Sequence, residues 1–210
     1  MGSPFADLHR PGQPFLLPNA WDVVSAARLV DAGFPAIGTT SLGVAASAGL
    51  PDAAGATRTQ TLALARRLVR LPALVTVDIE AGFSDDPVRV AELVAELHHE
   101  GVVGINIEDG RGNALAPVDV QARLIATVRS AVPDIFINAR TDAYWLGCDR
   151  PLPDTLTRVA AYRDAGADGV FVPGVRARPR SRRWSARPTG RSTCSRTGRC
   201  PNSPNSAWPG

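Results

Sequence analysis

The chain contains no lysine, and all 23 of its basic residues are arginine. This absence excludes Schiff-base chemistry, the lysine-dependent route to carbanions. Cysteine is scarce, because Cys148, Cys194 and Cys200 are too few and too scattered for a disulfide framework or a zinc site. No run of about 18 apolar residues occurs, which excludes a membrane-spanning helix. The N-terminus lacks the basic-then-apolar layout of a signal peptide, so we expect a cytoplasmic location.

Acidic and aliphatic residues are both missing from the C-terminal segment. Residues 1–175 hold all 20 acids and 14 arginines, whereas residues 176–210 hold nine arginines and no Val, Ile, Leu, Met or Phe. Such a segment cannot bury enough apolar surface to offset chain entropy, so we predict a disordered, basic tail. Its Arg/Pro/Ser-rich composition is typical of an out-of-frame reading of GC-rich coding sequence. We favour this frameshift-like origin over an evolved linker or a nucleic-acid-binding arm.

The body before the tail repeats a strand-then-helix unit. Its composition, 44% hydrophobic overall, is normal for a globular protein. Continuous apolar runs predict buried parallel strands at residues 15–17, 35–38, 73–77, 102–107, 135–139 and 169–172. Amphipathic patterns predict helices at 22–32, 58–70, after Asp86-Pro87, at 117–131 and at 153–165.

The predicted strand ends near residues 78, 108, 140 and 173 are 30, 32 and 33 residues apart. That is the length of one βα unit, which indicates a (β/α) barrel or a doubly wound sheet. No GxGxxG turn follows the first strand, so the barrel is favoured. We therefore predict an N-terminal extension at 1–13, an α/β barrel body at 14–175 with about six βα units, and the tail at 176–210.

Acidic residues lie where predicted strands end. Asp52 lies in a glycine-rich loop, Asp78 and Glu80 end TVDIE, and Glu108 ends GINIE. Parallel α/β folds place their chemistry at this edge. Several carboxylates there predict a hard divalent cation such as Mg²⁺. Arg140 ends the next strand, in INAR, and could hold a substrate carboxylate in a bidentate fork.

Four motifs in order resemble the isocitrate lyase/phosphoenolpyruvate mutase superfamily. They are LPNAWDVVSAARLVDAGFPAIGTTSLGVAASAGLPD, VTVDIEAGF, GINIED and INARTDAY, and the resemblance runs from about Pro14 to Val175. The chain looks most like the short members called carboxyvinyl-carboxyphosphonate phosphorylmutase or 2-methylisocitrate lyase-like. The resemblance implies a (β/α)8 TIM-type barrel, a homo-oligomer in the intact family, and Mg²⁺ (or Mn²⁺) with a small α-oxo or enol carboxylate.

The resemblance also implies a role for individual residues. The family's metal-site acids fall on four positions in this chain: Asp52, Asp78, Glu80 and Glu108. Its substrate-carboxylate loop falls on Thr40, Ser41 and Leu42, and the arginine partner falls on Arg140, which we expect to be catalytic. Asp109 is expected to be structural. The implied reaction is lyase or mutase chemistry, the cleavage or formation of a C–C or P–C bond through a metal-stabilised enolate.

Two departures from the family keep other functions open. The family's lyases carry a catalytic cysteine and a histidine after strand four, whereas this chain has EDGRGNALAPVDV. The body also accounts for six strands of the eight in a closed barrel, which would leave open sheet edges. The alternatives are a truncated, inactive family member and a class II pyruvate aldolase-like enzyme.

Overall fold

The structure, a computed structural model, describes residues 4–10 and 12–175. The predicted tail at 176–210 lies outside the described residues. The strands are β1 (Asn19–Ala20), β2 (Ala36–Thr39), β3 (Leu74–Asp78), β4 (Gly104–Glu108), β5 (Gly110–Arg111), β6 (Ala114–Leu115), β7 (Phe136–Arg140) and β8 (Gly169–Phe171). The helices are α1 (Val23–Asp31), α2 (Ser41–Ala48), α3 (Arg58–Leu68), α4 (Pro87–His99), α5 (Val118–Ala131) and α6 (Pro151–Asp164), and a short 3₁₀ helix (Ala6–Leu8) precedes them.

Six strands form one parallel sheet in the order β1-β2-β3-β4-β7-β8. At least one helix lies between each pair of consecutive strands of the sheet, and β5 and β6 form a separate antiparallel hairpin. Within the described ranges, β1 and β8 each pair on one side only, so the (β/α) barrel is partial. The α/β fold class and the incomplete barrel are as the sequence predicted.

The core lies between the sheet and its helices. Central strand residues such as Val77, Ile105 and Ile137 are fully buried against Leu68 and Val94 of the helical layer. Burial on both faces explains why these strands are continuous apolar runs instead of alternating ones.

Side-chain caps fix the starts of two helices. The Asp22 carboxylate accepts a hydrogen bond of 2.6 Å from the Ser25 N–H at the start of α1. Asp86 accepts one of 3.0 Å from the Val88 N–H at the start of α4, where Pro87 occupies the first helical position. The Asp86 cap confirms the helix start that the sequence predicted at Asp86-Pro87.

Aromatic residues cover the N-terminal end of the sheet. The Phe5 ring is 2% exposed and packs edge-on against Phe136, at the start of β7, with the ring centroids 5.1 Å apart. His9 stacks on the same Phe136 ring at 4.6 Å, and Phe15 joins the cluster. Residues of the predicted N-terminal extension therefore contribute to the packing of the barrel body.

One secondary-structure prediction is wrong, and one helix was not predicted. The run at residues 15–17 is not a strand, since the first strand is Asn19–Ala20. Phe15 and Leu17 are apolar because they pack in the aromatic cluster. Helix α2 was not predicted, because its small residues give no amphipathic period. No helix in the described part of the chain is long and apolar enough to cross a membrane.

Candidate functional site

A cavity of about 270 Å³ opens at the C-terminal ends of the parallel strands. It brings together seven of the eight residues that the sequence singled out: Thr40, Ser41, Leu42, Asp52, Asp78, Glu108 and Arg140. Glu80 is not among the lining residues and instead borders a neighbouring depression with Gly55 and Arg111. Gly110, Asp142 and Phe171 complete the part of the wall that surrounds Arg140.

Asp78 is oriented by hydrogen bonds from three directions. Its Oδ2 accepts from the Ser41 N–H at 3.0 Å, and its Oδ1 accepts from the Glu80 N–H at 3.2 Å and from Asn106 Nδ2 at 3.4 Å. Asn138 Nδ2 in turn donates to Asn106 Oδ1 at 3.0 Å. The Asp78 carboxylate is therefore bound at the N-terminus of α2, where backbone N–H groups and the helix dipole favour an anion.

Arg140 lies between two carboxylates. Its Nη1 is 3.1 Å from Glu108 Oε2, and its Nε donates to Asp142 Oδ1 at 2.7 Å. The guanidinium carbon also lies 5.9 Å from the centre of the Phe171 ring. Burial acts to lower the pKa of Arg140, but the hydrogen bond to Asp142 and the charges of Glu108, Asp142 and Asp78 together raise it above its ordinary value. Within the described residues, Nη2 makes no hydrogen bond or ion pair, and it is the nitrogen that remains for a ligand.

Glu108 is the most perturbed acid of the cavity. Burial raises its pKa to about 7, against the lowering effect of Arg140, and the nearby charges of Asp142, Asp78 and Asp52 add to the rise. Burial likewise raises the pKa of Asp142, again against Arg140. The cavity therefore disfavours the ionised forms of Glu108 and Asp142 as long as no further positive charge enters it.

The donor set fits a hard cation. Asp52, Asp78, Glu108 and Asp142 line the cavity with Arg140 as the one guanidinium among the lining residues, so negative charge exceeds positive charge. Over residues 4–10 and 12–175, no three acidic, histidine or cysteine side chains converge into a compact metal cluster. Mg²⁺ keeps several of its waters and is often bound by only one or two carboxylates, so the spread of the acids is compatible with it.

Asp109 has a structural role, as predicted. Its side chain is fully buried, and its Oδ2 accepts hydrogen bonds from Arg158 Nη1 at 2.9 Å and from the Tyr162 hydroxyl at 2.7 Å. Its Oδ1 accepts from the Asp142 N–H at 2.9 Å. The network ties α6 to the end of β4 and fixes the backbone of Asp142.

Asp142 and Asn106 line or support the site although the sequence reasoning did not assign them. Asp142 follows Arg140 by two residues in the ARTD motif. An acid at this spacing from the arginine is the sequence feature that could have identified Asp142 as a site residue. Asn106 precedes Glu108 by two residues in β4, so alternation along the strand directs both side chains to the same face.

Comparisons with known proteins agree with this geometry. The sequence model of the phosphoenolpyruvate phosphomutase family matches residues 5–194, a range that continues beyond Val175. An uncharacterized protein of Mycobacterium tuberculosis is 48% identical over 169 residues, which cover 80% of this chain and 64% of that protein. The probable 2-methylisocitrate lyase 1 of Corynebacterium glutamicum is 36% identical over 169 residues, covering 74% of this chain and 54% of the relative.

A solved structure gives the same result for the fold. A candidate phosphonomutase from Burkholderia cenocepacia J2315 superposes with a TM-score of 0.78 at 42% identity, covering 82% of this chain and 74% of that one. The chain spans 64% of the length of the Mycobacterium tuberculosis protein and 54% of the length of the Corynebacterium glutamicum protein. With a family match over most of its length and a partial barrel of the same kind, the chain belongs to the phosphoenolpyruvate phosphomutase family.

Proposed function

We propose that this chain is a Mg²⁺-dependent lyase or mutase acting on a small α-oxo or enol carboxylate. The reaction class is the cleavage or formation of a C–C or P–C bond next to the oxo group. One observation carries the proposal: a single cavity holds Asp52, Asp78 and Glu108 together with Arg140 and the N-terminus of α2.

The acidic side of the cavity is the proposed cation site. Asp52, Asp78 and Glu108 would hold the ion directly or through its waters, and Mn²⁺ can replace Mg²⁺ with the same ligands. A bound divalent cation acts as a Lewis acid that takes up negative charge developing on the substrate's oxo oxygen. Asp78 is oriented for this role by the Ser41 and Glu80 N–H groups and by Asn106.

The opposite side is the proposed carboxylate site. Arg140 supplies a fixed positive charge, since Asp142 holds its Nε at 2.7 Å and leaves the far end of the guanidinium toward the cavity. Backbone N–H groups at Thr40, Ser41 and Leu42 lie at the start of α2, where they favour an anion. The Ser41 N–H now donates to Asp78, so a substrate carboxylate would share or replace that hydrogen bond.

The segment after β4 supplies no thiol or imidazole for proton transfer. It forms the β5–β6 hairpin, whose Arg111 donates to the carbonyls of Glu108 and Gly110 at 3.0 and 2.9 Å and to Gln121 Oε1 at 3.2 Å. The hairpin contains neither cysteine nor histidine.

A second candidate is an inactive, partial family member. It is favoured by the parallel sheet of the described residues, in which β1 and β8 each pair on one side only. Screening the full chain with Mg²⁺ for turnover of oxaloacetate, phosphonopyruvate and methylisocitrate separates the two. Turnover of any of these supports the enzyme, whereas Mg²⁺ binding without any turnover supports the inactive form.

Calorimetric titration with MgCl₂ tests the cation site itself. Asp78→Ala should abolish binding, because a weak site does not dehydrate Mg²⁺. Asp119→Ala is the matched control, since it removes a carboxylate that is 77% exposed and paired only with Arg123 on the surface of α5. Equal Mg²⁺ affinity in the wild type and in Asp78→Ala would contradict the assignment.

A further inference from the structure

Glu80 is buried beside the cavity instead of in it. The residue is 2% exposed and follows β3 by two positions. Its φ of 51° lies in the left-handed region, which residues other than glycine and asparagine rarely adopt. This conformation breaks the alternation of the strand and turns the side chain away from the face that carries Asp78. Neighbouring structure must stabilise it, since such backbone geometry persists only where its surroundings enforce it.

Both carboxylate oxygens of Glu80 are occupied by one loop. Oε1 accepts a hydrogen bond of 2.5 Å from the Thr57 hydroxyl, and Oε2 accepts one of 3.0 Å from the Gly55 N–H. Thr57 is fully buried, so its contact with Glu80 is shielded from water, whereas the contact with Gly55 is partly buried. The loop is the one between α2 and α3, and it carries Asp52 into the cavity wall.

The main chain of Glu80 contacts the two other acids. Its N–H donates to Asp78 Oδ1 at 3.2 Å, and its carbonyl accepts from the Glu108 N–H at 2.9 Å. Glu80 is thus hydrogen-bonded to Asp78, to the backbone of Glu108 and to the loop of Asp52. No other residue of the described chain is bonded to all three of these segments in the structure.

We propose that Glu80 is a positioning residue that holds the Asp52 loop against the cation site, and not a ligand of the ion. The inference rests on the proposed function, since it names how the acids of that site are kept together. Glu80 acts through the Thr57 hydroxyl and the Gly55 N–H. The Glu80 carboxylate is not among the residues that line the cavity with Asp52, Asp78 and Glu108, and both of its oxygens are bonded to the loop that carries Asp52.

Hydrogen exchange of the metal-free full chain tests the contacts of Glu80 with Thr57 and Gly55 without relying on activity. Thr57→Val removes the hydroxyl but keeps the shape of the side chain, and we expect amide exchange at 53–57 to accelerate about fivefold, the effect of one ordinary hydrogen bond. Thr61→Val is the matched control. Thr61 is equally buried, one turn further along α3, and its hydroxyl has no partner among the described residues. Equal exchange at 53–57 in Thr57→Val and Thr61→Val would overturn the proposal.

Mg²⁺ affinity then shows whether the hydrogen bond between Thr57 and Glu80 affects the cation site through Asp52. We expect Thr57→Val to weaken Mg²⁺ binding about fivefold. In an Asp52→Asn background the same change should have no further effect. Glu80→Gln should weaken binding no more than Thr57→Val, because the amide can still accept from the Gly55 N–H and donate to the Thr57 oxygen.

The outcomes of the two experiments separate the proposals. A large loss of Mg²⁺ affinity in Glu80→Gln with none in Thr57→Val would make Glu80 a ligand and overturn the inference. A fivefold loss in Thr57→Val that persists in the Asp52→Asn background would also overturn it, because the effect would not pass through Asp52. If the wild type binds no Mg²⁺, the proposed function fails. Hydrogen exchange still decides whether Glu80 holds the loop that carries Asp52.

Discussion

Stability in the absence of metal should fall as pH rises, and Glu108 should be the cause. Burial raises its pKa from the ordinary value of 4.5 to about 7 in the folded chain. The native state therefore binds more protons than the unfolded state between those pH values, and the free energy of unfolding decreases as pH rises through this window. The contribution is complete below pH 4.5 and is lost above pH 7.

The size of the effect follows from the two pKa values. A shift of one pKa unit corresponds to about 1.4 kcal/mol, so the whole transition corresponds to about 3 kcal/mol. Between pH 5 and pH 8 the expected loss is roughly 2–3 kcal/mol, since the unfolded carboxyl is already mostly ionised at pH 5. Glu108 is 6% exposed, so solvent screening does not reduce this value much.

Urea denaturation in EDTA at pH 5, 6, 7 and 8 measures the effect. Glu108→Gln keeps the shape of the side chain but cannot titrate, so the difference between wild type and variant isolates this group from the other acids and histidines. The wild type should lose roughly 2–3 kcal/mol more than the variant between the end points. Parallel pH profiles for the two proteins would refute the reasoning, as would a wild type that gains stability relative to the variant.

Three further variants test other parts of the structure. Asp109→Asn leaves the Arg158 charge buried without its ion-pair partner, and thermal or urea unfolding should show a loss of about 3–5 kcal/mol; Asp119→Asn, at an exposed pair, should change stability by less than about 1 kcal/mol. Phe5→Ala should cost about 3 kcal/mol, and an unchanged melting temperature would contradict its role in the aromatic cluster. Arg140→Lys should weaken oxalate binding in the presence of Mg²⁺ about tenfold by calorimetry, because an ammonium cannot contact Asp142, Glu108 and the ligand with separate nitrogens of one rigid plane; equal affinity would count against the carboxylate site.

The strands that carry the site could be predicted from the sequence because they are buried on both faces. Runs such as ALVTV and VVGINI each contain a single polar residue and no charge, so they lack the polar-apolar alternation of half-exposed strands. The acids at their ends were then placed correctly at one edge of the sheet, and Asp52, Asp78 and Glu108 do line one cavity. Their metal-binding role stays a prediction.

The position of Glu80 could not be predicted in the same way. Two residues separate it from Asp78, so strand alternation would direct both side chains to one face. The left-handed φ of 51° at Glu80 ends that alternation, and it depends on contacts with Thr57 and Gly55, more than 20 residues earlier. Such a conformation is set by tertiary structure and has no local signal in a glutamate.

Helix α2 was missed for a related reason. Its sequence, SLGVAASA, consists mostly of small residues, so it has no apolar stripe of helical period. Gly43 is required there by close packing, since a Cβ at this position would lie 2.7 Å from Trp21 Cβ. The helix is stabilised by this contact and by its packing against α3, neither of which is visible in the local sequence.

The most direct test of the cation and carboxylate site is a crystal structure of the full chain soaked with Mn²⁺ and oxalate. Anomalous scattering locates the ion without any assumption about its ligands. We expect one peak in the cavity between Asp52, Asp78 and Glu108, with oxalate between that peak and Arg140 and with the Glu80 carboxylate still on Thr57 and Gly55. A cavity without an anomalous peak at saturating Mn²⁺, or oxalate bound away from Arg140, would contradict the account.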